Sequence, residues 1–262
     1  MTQPQFVSND VAFLGGRAPD HSAARVTVII TLYNYASVID QALQSIADQT
    51  MQYLDLVIVE DRSRDESMDT ALAWLRKNHL RFERCQLVQN SWNYGLATSR
   101  NTALAKVQTD YVMVLDADNA LYPTAVERLL SALDRTGTAA AYSQLELFGE
   151  HSGVGDAGPW DPERLARGNY IDAMALFHMS AIRRCGGYEL FEVPGWEDYD
   201  LWCKLHEQGL TATFVPQILC RYRVHAASML RAETNADIPA VAFEMLRRHP
   251  WLKLPVYEGG AS

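Results

Sequence analysis

Two aspartates, Asp116 and Asp118, follow a short apolar run and are the residues of this chain best suited to chemistry. The run Tyr111, Val112, Met113, Val114, Leu115 is apolar and partly β-branched, which predicts a buried strand over 111–115. Residues two apart on an extended chain face the same side, so the two carboxylates converge just past the strand. Converging carboxylates repel unless a cation lies between them. Hard divalent ions such as Mg2+ or Mn2+ take oxygen ligands and keep positions open for phosphates. Open α/β sheets bind ligands at the carboxyl ends of their strands. The spacing therefore suggests a metal-assisted site for a phosphorylated ligand. A turn and helix cap before Pro123 would use the same residues, so other segments must decide.

Four segments bear on the choice. Thr31, Leu32, Tyr33 and Asn34 end one apolar run, and Glu60, Asp61, Arg62 and Ser63 end the next. Both fall on the ligand edge, which makes Thr31, Tyr33, Asn34 and Asp61 candidate nucleotide contacts. The Asp61 carboxylate could accept the imide N–H of a uracil, or with Ser63 form a turn. Gly95 permits a tight helix entry. Arg100, one to two turns in, is a fork-shaped donor that could reach a base or a phosphate, or lie solvated on the helix. Trp196, Glu197, Asp198 and Asp200 open a later helix. Carboxylates beside a large aromatic suit a base in a partly desolvated pocket, and a helix N-terminus favours them in any case. Arg221 and Arg223 alternate with Tyr222 and share one strand face. His225 could ligate a metal or bind a diphosphate.

The elements that must position these residues follow from periodicity. Strands are predicted at 26–32, 54–59, 83–88, 111–115 and 139–144, and helices at 38–48, 66–78, 96–107 and 125–133. That alternation indicates βαβ units and a parallel sheet. After residue 148 the pattern changes. The four-glycine stretch 149–159 reads as a mobile loop. A strand follows at 171–180, a helix at 197–208, short strands at 211–215 and 218–223, and a helix at 236–248. Residues 1–24 read as an extension, 25–148 as a nucleotide-binding half, 149–228 as an acceptor half and 229–262 as a helical tail.

Composition sets outer bounds. A chain of 262 residues with 48% hydrophobic content fits one large α/β domain with appendages. A formal charge of −9 without a Lys/Arg tract argues against nucleic acid. An anionic small ligand remains compatible, because a metal and local arginines can invert the field. Cys85, Cys185, Cys203 and Cys220 are widely spaced with no C-x-x-C pair, as expected for reduced thiols in a cytosolic protein. No apolar run approaches the ~20 residues of a membrane span, and the first ten residues lack a leader's apolar core. The expectation is a cytoplasmic protein, or one peripheral to a membrane.

Taken in order, these segments resemble the family 2 glycosyltransferases. The resemblance spans roughly 26–228. It rests on 31–34, 60–63, Asn93, Tyr94 and Gly95 with Arg100 and Asn101, 115–119, Gly186, Gly187 and Tyr188, 196–202, and 222–225. It implies the glycosyltransferase-A fold, a Rossmann-like, mostly parallel α/β sheet flanked by helices, with a smaller acceptor-side subregion. It further implies metal-dependent, inverting transfer of a sugar from a nucleotide diphosphate donor, most often a UDP-sugar, to a saccharide or glycolipid acceptor. The resemblance places Asp61 on the base, Asp116 on ribose and metal, Asp118 as direct ligand of Mn2+ or Mg2+, and Asp198 as general base. His225 would complete the metal or diphosphate site and Arg223 would face the diphosphate, with Trp196 and Glu197 beside the sugars. Processive synthases of the family carry membrane helices and a Gln-x-x-Arg-Trp element. This chain shows neither, so transfer of one or a few residues is expected. A sugar-nucleotide pyrophosphorylase would need a glycine-rich loop after the first strand, whereas Gly15, Gly16 and Arg17 precede Val26. A degenerate sugar-nucleotide-binding module is the other alternative.

Overall fold

Runs such as 28–30 and 56–59, within 26–32 and 54–60, are apolar at consecutive positions, which a sheet covered on both faces can bury. The computed structural model, which describes residues 7–18, 23–192, 195–225 and 238–255, places them in such a sheet. In chain order the elements are β1 (Asn9–Gly15), β2 (Val26–Leu32), α1 (Ile39–Ala47), β3 (Leu54–Glu60), α2 (Ser67–Asn78), β4 (Arg84–Asn90) and α3 (Leu96–Lys106). Then come β5 (Tyr111–Asp116), β6 (Ala120–Leu121), α4 (Ala125–Thr136), β7 (Ala140–Gly149), β8 (Gly153–Val154) and α5 (Pro162–Leu165). β9 (Ala175–His178), α6 (Met179–Cys185), α7 (Glu197–Glu207), β10 (Ala212–Val224) and α8 (Ile238–Arg248) follow.

The strands form one mixed sheet in the order β1-β4-β3-β2-β5-β9-β7-β10-β6, with β8 against β7. β4, β3, β2 and β5 are mutually parallel, and β10 runs parallel to β7. Alternate residues of one strand feed two cores. Val26, Val28 and Ile30 meet Ile39, Leu43 and Ile46 of α1 and Leu129 of α4. Ile29, Val57 and Val59 meet Leu104 of α3 and Leu201, Trp202 and Leu205 of α7.

Several expectations are corrected. The extension contains β1, which pairs antiparallel with β4 and covers an otherwise open edge. The strand expected at 171–180 contracts to β9, because Asn169 and Asp172 accept the backbone N–H groups of Ile171 and Met174 and bend the chain before it. The short strands at 211–215 and 218–223 are one strand, β10, with register shifts around Pro216, which has no N–H for the ladder. The glycine-rich stretch is strapped down. β8 pairs with β7, the Tyr142 hydroxyl donates to the Gly158 carbonyl at 2.7 Å, and Gln144 Nε2 donates to Ala157 at 3.2 Å. The tail helix α8 joins the second core through Ala242 and Met245.

Gly16 closes the β1 edge with φ +125°, and a Cβ there would lie 2.2 Å from the Glu83 carbonyl oxygen. Gly16→Ala should cost roughly 1–3 kcal/mol and speed amide exchange in β1. Unchanged exchange in β1 would show that the edge strand does not depend on this approach.

Candidate active site

The parallel register brings three strand ends level. Thr31 pairs with Asp116, and Leu32 with Glu60. Asn34 and Arg62, just beyond, have left-handed backbones at φ 58° and 62°. Such strain persists only where surroundings impose it. Asn34 is held by the Ser63 hydroxyl, which accepts its N–H at 3.0 Å, and its Oδ1 accepts the Arg64 N–H at 2.8 Å. Glu60, fully buried, accepts the backbone N–H groups of Arg62 and Ser63. Thr31 and Tyr33 lie half-buried on the same edge. Asp61 is buried and spends its carboxylate on the protein. It accepts Asn90 Nδ2 at 2.7 Å, the Tyr94 N–H at 3.0 Å and the Gly95 N–H at 2.8 Å, which fixes the loop entering α3.

α3 buries polar residues, Thr98, Ser99, Arg100 and Thr102, because it packs beneath the site. Arg100 is only 2% exposed. Its guanidinium donates to Asp116 Oδ1 at 2.7 Å and to Glu197 Oε1 at 2.9 Å, and lies 5.1 Å from the Tyr188 ring centre. The Arg100 guanidinium thus turns inward to two carboxylates, and Glu197 is buried against that cation. The next residue, Asn101, clamps the Tyr188 backbone at both N–H and carbonyl. Gly187 precedes it at φ +76°, where a Cβ would meet Asn101 Oδ1 at 2.6 Å.

Asp118 and His225 meet across the sheet, Oδ2 to Nε2 at 2.9 Å. Asn119 Oδ1 accepts the Arg223 N–H at 2.8 Å, and Arg223 Nε donates to the Asp118 carbonyl at 2.9 Å. These bonds tie the turn after β5 to the end of β10. The Arg223 head also reaches Gln41 and lies 4.4 Å from the Phe148 ring centre. Tyr35 sets its ring edge-on to His225 at 6.1 Å. Burial, and then the neighbouring Asp116 charge, push the Asp118 carboxyl above its usual range. Among the described residues, no three His, Cys, Asp or Glu side chains form a closed metal cage. The donor set nevertheless fits a hard divalent ion that takes much of its shell from phosphate oxygens and water. Asp118 carries unfavourable negative charge beside Asp116, and His225 would offer a nitrogen ligand next to it.

Asp198 sits in the first turn of α7, after Trp196, whose φ of 58° is again left-handed. Asn169 Nδ2 donates to its Oδ2 at 3.0 Å. Burial, and then the adjacent Glu197 charge, push its carboxyl up to about 6. The half-buried Asp172 shares this field: burial, followed by Asp116, pushes it up to about 7. Trp196 is half-buried and edge-on to Tyr199 at 5.9 Å.

This geometry has counterparts in known proteins. The sequence profile of Glycosyl transferase family 2 matches residues 27–186, from β2 through α6 to Gly186. The chain belongs to glycosyl transferase family 2. A Haemophilus influenzae protein described as an uncharacterized glycosyltransferase is 26% identical over 219 residues, 76% of this chain and 65% of that protein. EpsE of Bacillus subtilis is 25% identical over 244 residues, 90% of this chain and 86% of EpsE. The Escherichia coli UDP-Glc:alpha-D-GlcNAc-diphosphoundecaprenol beta-1,3-glucosyltransferase WfaP is 24% identical over 208 residues, 78% of this chain and 79% of WfaP. Among solved structures, Staphylococcus aureus TarS 1–349 with UDP-GlcNAc superposes with a TM-score of 0.69 at 15% identity, over 89% of this chain and 68% of that one. The mannosyltransferase PcManGT from Pyrobaculum calidifontis, in complex with GDP-Man and Mn2+, gives 0.61 at 21% identity, over 89% and 63%. These structures share the glycosyltransferase-A fold with this family member.

Sequence reasoning gave no role to Tyr35, Asn90, Asn101, Asn119, Asn169 or Asp172. Asn101 and Asn119 stood inside recognised motifs, but their partners lie 87 and 104 residues away. Asp172, a lone acid in an otherwise apolar stretch, was the one visible signal.

Arg100→Met would leave the buried Glu197 and the half-buried Asp116 without their shared cation. It should lower unfolding free energy by roughly 3–5 kcal/mol, read from urea denaturation. A loss below about 1 kcal/mol would mean that the two carboxylates find other compensation.

Proposed function

We propose that this chain transfers a sugar from a nucleoside diphosphate donor, a UDP-sugar, to an acceptor hydroxyl with inversion, and that Asp198 is the general base. The observation that carries the reading is the Asp198 carboxyl. It is fixed at a helix start, pushed up to about 6, and lies in the field of Arg100 and Asp116 at the ligand edge. A base poised near working pH is best matched to proton transfer. The donor diphosphate would lie along the edge between Asp118, His225 and Arg223, with Asp116 toward the ribose. Asp61, through its hold on the entry to α3, shapes the base side. Mn2+ or Mg2+ held by Asp118 and His225 would supply the charge that steadies the departing diphosphate. The Mn2+ in the fold relative supports that choice.

The chain's own residues do the rest. Asn169 and the Tyr199 N–H each bond one oxygen of Asp198 and fix its carboxylate plane. Asp198 then takes the proton of the acceptor hydroxyl as it attacks the anomeric carbon from the face opposite the diphosphate. Trp196 offers an apolar ring for an acceptor sugar. Asp172 offers a carboxylate to a sugar hydroxyl, an interaction no sequence motif announced. The donor named in the TarS complex and the lipid-linked acceptor in the WfaP name support a UDP-sugar donor and a saccharide or glycolipid acceptor for this chain. A cell-surface glycoconjugate is the product class that fits both. Among the described residues no helix is long and apolar enough to cross a membrane. A lipid-linked acceptor would then be met at a membrane surface. In this reading 25–148 binds the nucleotide and 149–228 the acceptor.

Calorimetric titration with UDP should show binding in Mn2+ that EDTA abolishes and that Asp118→Ala lacks. UDP binding unaffected by EDTA would remove the metal from the proposal, and no UDP binding at all would point to a different nucleotide. Asp198→Asn should retain UDP binding and lose transfer, and parental rates in that variant would exclude Asp198 as base.

The pH dependence has two signs. Transfer needs Asp198 ionised, so kcat should fall as pH drops below about 6. Stability runs the other way. The folded state holds this proton above the ordinary value of 3.8, so the ionised carboxyl opposes folding at pH 7.5. Asp198→Asn should therefore raise the urea midpoint at pH 7.5, with the advantage shrinking as pH falls through 6 toward 4. A pH-independent difference would contradict this origin.

A further inference from the structure

The family match ends at Gly186, yet the C-terminal segment finishes on the helix that carries Asp198. One helical position pair beyond the base, Asp200 has a fully buried side chain. Arg248 Nε donates to its Oδ1 at 2.8 Å, and His249 Nε2 lies 3.0 Å from the same oxygen. Lys204 Nζ stands 2.7 Å from Oδ2. Each tail residue has a second anchor. Arg248 Nη2 donates to Glu189 Oε2 at 2.7 Å, and His249 Nδ1 lies 2.7 Å from Glu207 Oε1, an oxygen that also accepts Trp251 Nε1 at 2.8 Å. Both ring nitrogens of His249 face carboxylates, so both must be donors and the ring is an imidazolium. The Asp200 carboxyl would be raised by burial alone. The His249 bond, and then Lys204 and Arg248, outweigh that and hold it at about 2.

We propose that Arg248 and His249 are positioning residues for transfer: by gripping Asp200 and Glu207 they fix both ends of α7 and so hold Asp198 at its working angle. The inference rests on the reading of Asp198 as base. α7 begins after a strained N-cap residue, Trp196, whose side chain makes no cap bond to the helix. Arg100 on Glu197 and Asn169 on Asp198 hold this start from the site side, and the tail holds it from the opposite side with two cations on one buried carboxylate. Misplacing a catalytic group by about 1 Å can cost on the order of 100-fold in rate, so the grip would register in kcat.

The test compares Arg248→Met, His249→Ala and the conservative Arg248→Lys in the full chain. Lys253→Ala, which removes only an exposed bridge to Glu163 in the same tail, serves as control. Three quantities are read: amide exchange over 197–202, kcat for transfer or donor hydrolysis per folded molecule, and UDP affinity. Arg248→Met and His249→Ala should speed exchange over 197–202 and lower kcat about tenfold or more, with UDP affinity within about twofold of the parent. Arg248→Lys should recover part of the rate, and Lys253→Ala should match the parent. Parental kcat in the folded fraction, with only the melting temperature lowered, would reduce the contacts to ordinary stabilisation and overturn the inference. UDP affinity falling in step with kcat would overturn it too, because the tail would then support the whole site. A parent that neither transfers nor hydrolyses would sink the transferase reading itself. Unchanged exchange over 197–202 in the variants would sink the grip alone.

Discussion

The buried Arg100 cation between Asp116 and Glu197 is the interaction on which the site depends. It joins the end of β5 to the start of α7, segments about 80 residues apart, through one planar group. Three ionised side chains, two of them buried and the third half-buried, are costly unless each charge is matched in geometry as well as sign. That requirement fixes α3, since Arg100 can bridge the two carboxylates only from a helix set at one height. Asp61 sets that height by receiving the N–H groups of Tyr94 and Gly95 at the helix entry. The second carboxylate edge, β3, thus positions the helix that positions the third.

Around this bridge the fold gathers more negative charge than it neutralises. Asp116, Asp118, Asp172 and Asp198 share one field, and burial drives Asp118, Asp172 and Asp198 toward their protonated forms. Left-handed backbones at Asn34, Arg62 and Trp196 lie on the same rim. Each of these features opposes folding, and the two packed cores on either face of the sheet offset them. Such concentrations of electrostatic and conformational strain mark functional sites.

A second charged cluster, on the far side of α7, has the opposite balance. Asp200 is saturated with cations, whereas Asp198 is not. Two carboxylates two residues apart on one helix therefore have carboxyl groups at about 2 and about 6. The helix gives them different faces: one looks into the tail and is held ionised, and the other looks into the site and is free to take a proton near neutral pH.

Much of this was legible in the sequence, for physical reasons. Consecutive apolar residues at 28–30, 56–59 and 111–115 suit strands of a sheet covered on both faces, so the parallel core follows from local pattern. Asp61, Asp116, Asp118 and Asp198 stand at or just past strand ends or in a helix start, places that the local pattern alone marks. What the pattern could not decide is pairing across long stretches of chain. An arginine on a helix is compatible with solvent, with a phosphate or with buried acids, and only packing against α7 made Arg100 a partner of Asp116 and Glu197. Residues 149–159 look mobile by composition, and only β7 shows them strapped. Asn9–Gly15 shows no local need for a partner, but the open edge of β4 does. The sequence by itself determined which residues could carry charge and which segments must be buried. The tertiary structure decided which charges meet, because a carboxylate's state depends on the dielectric and the partner that distant segments bring to it.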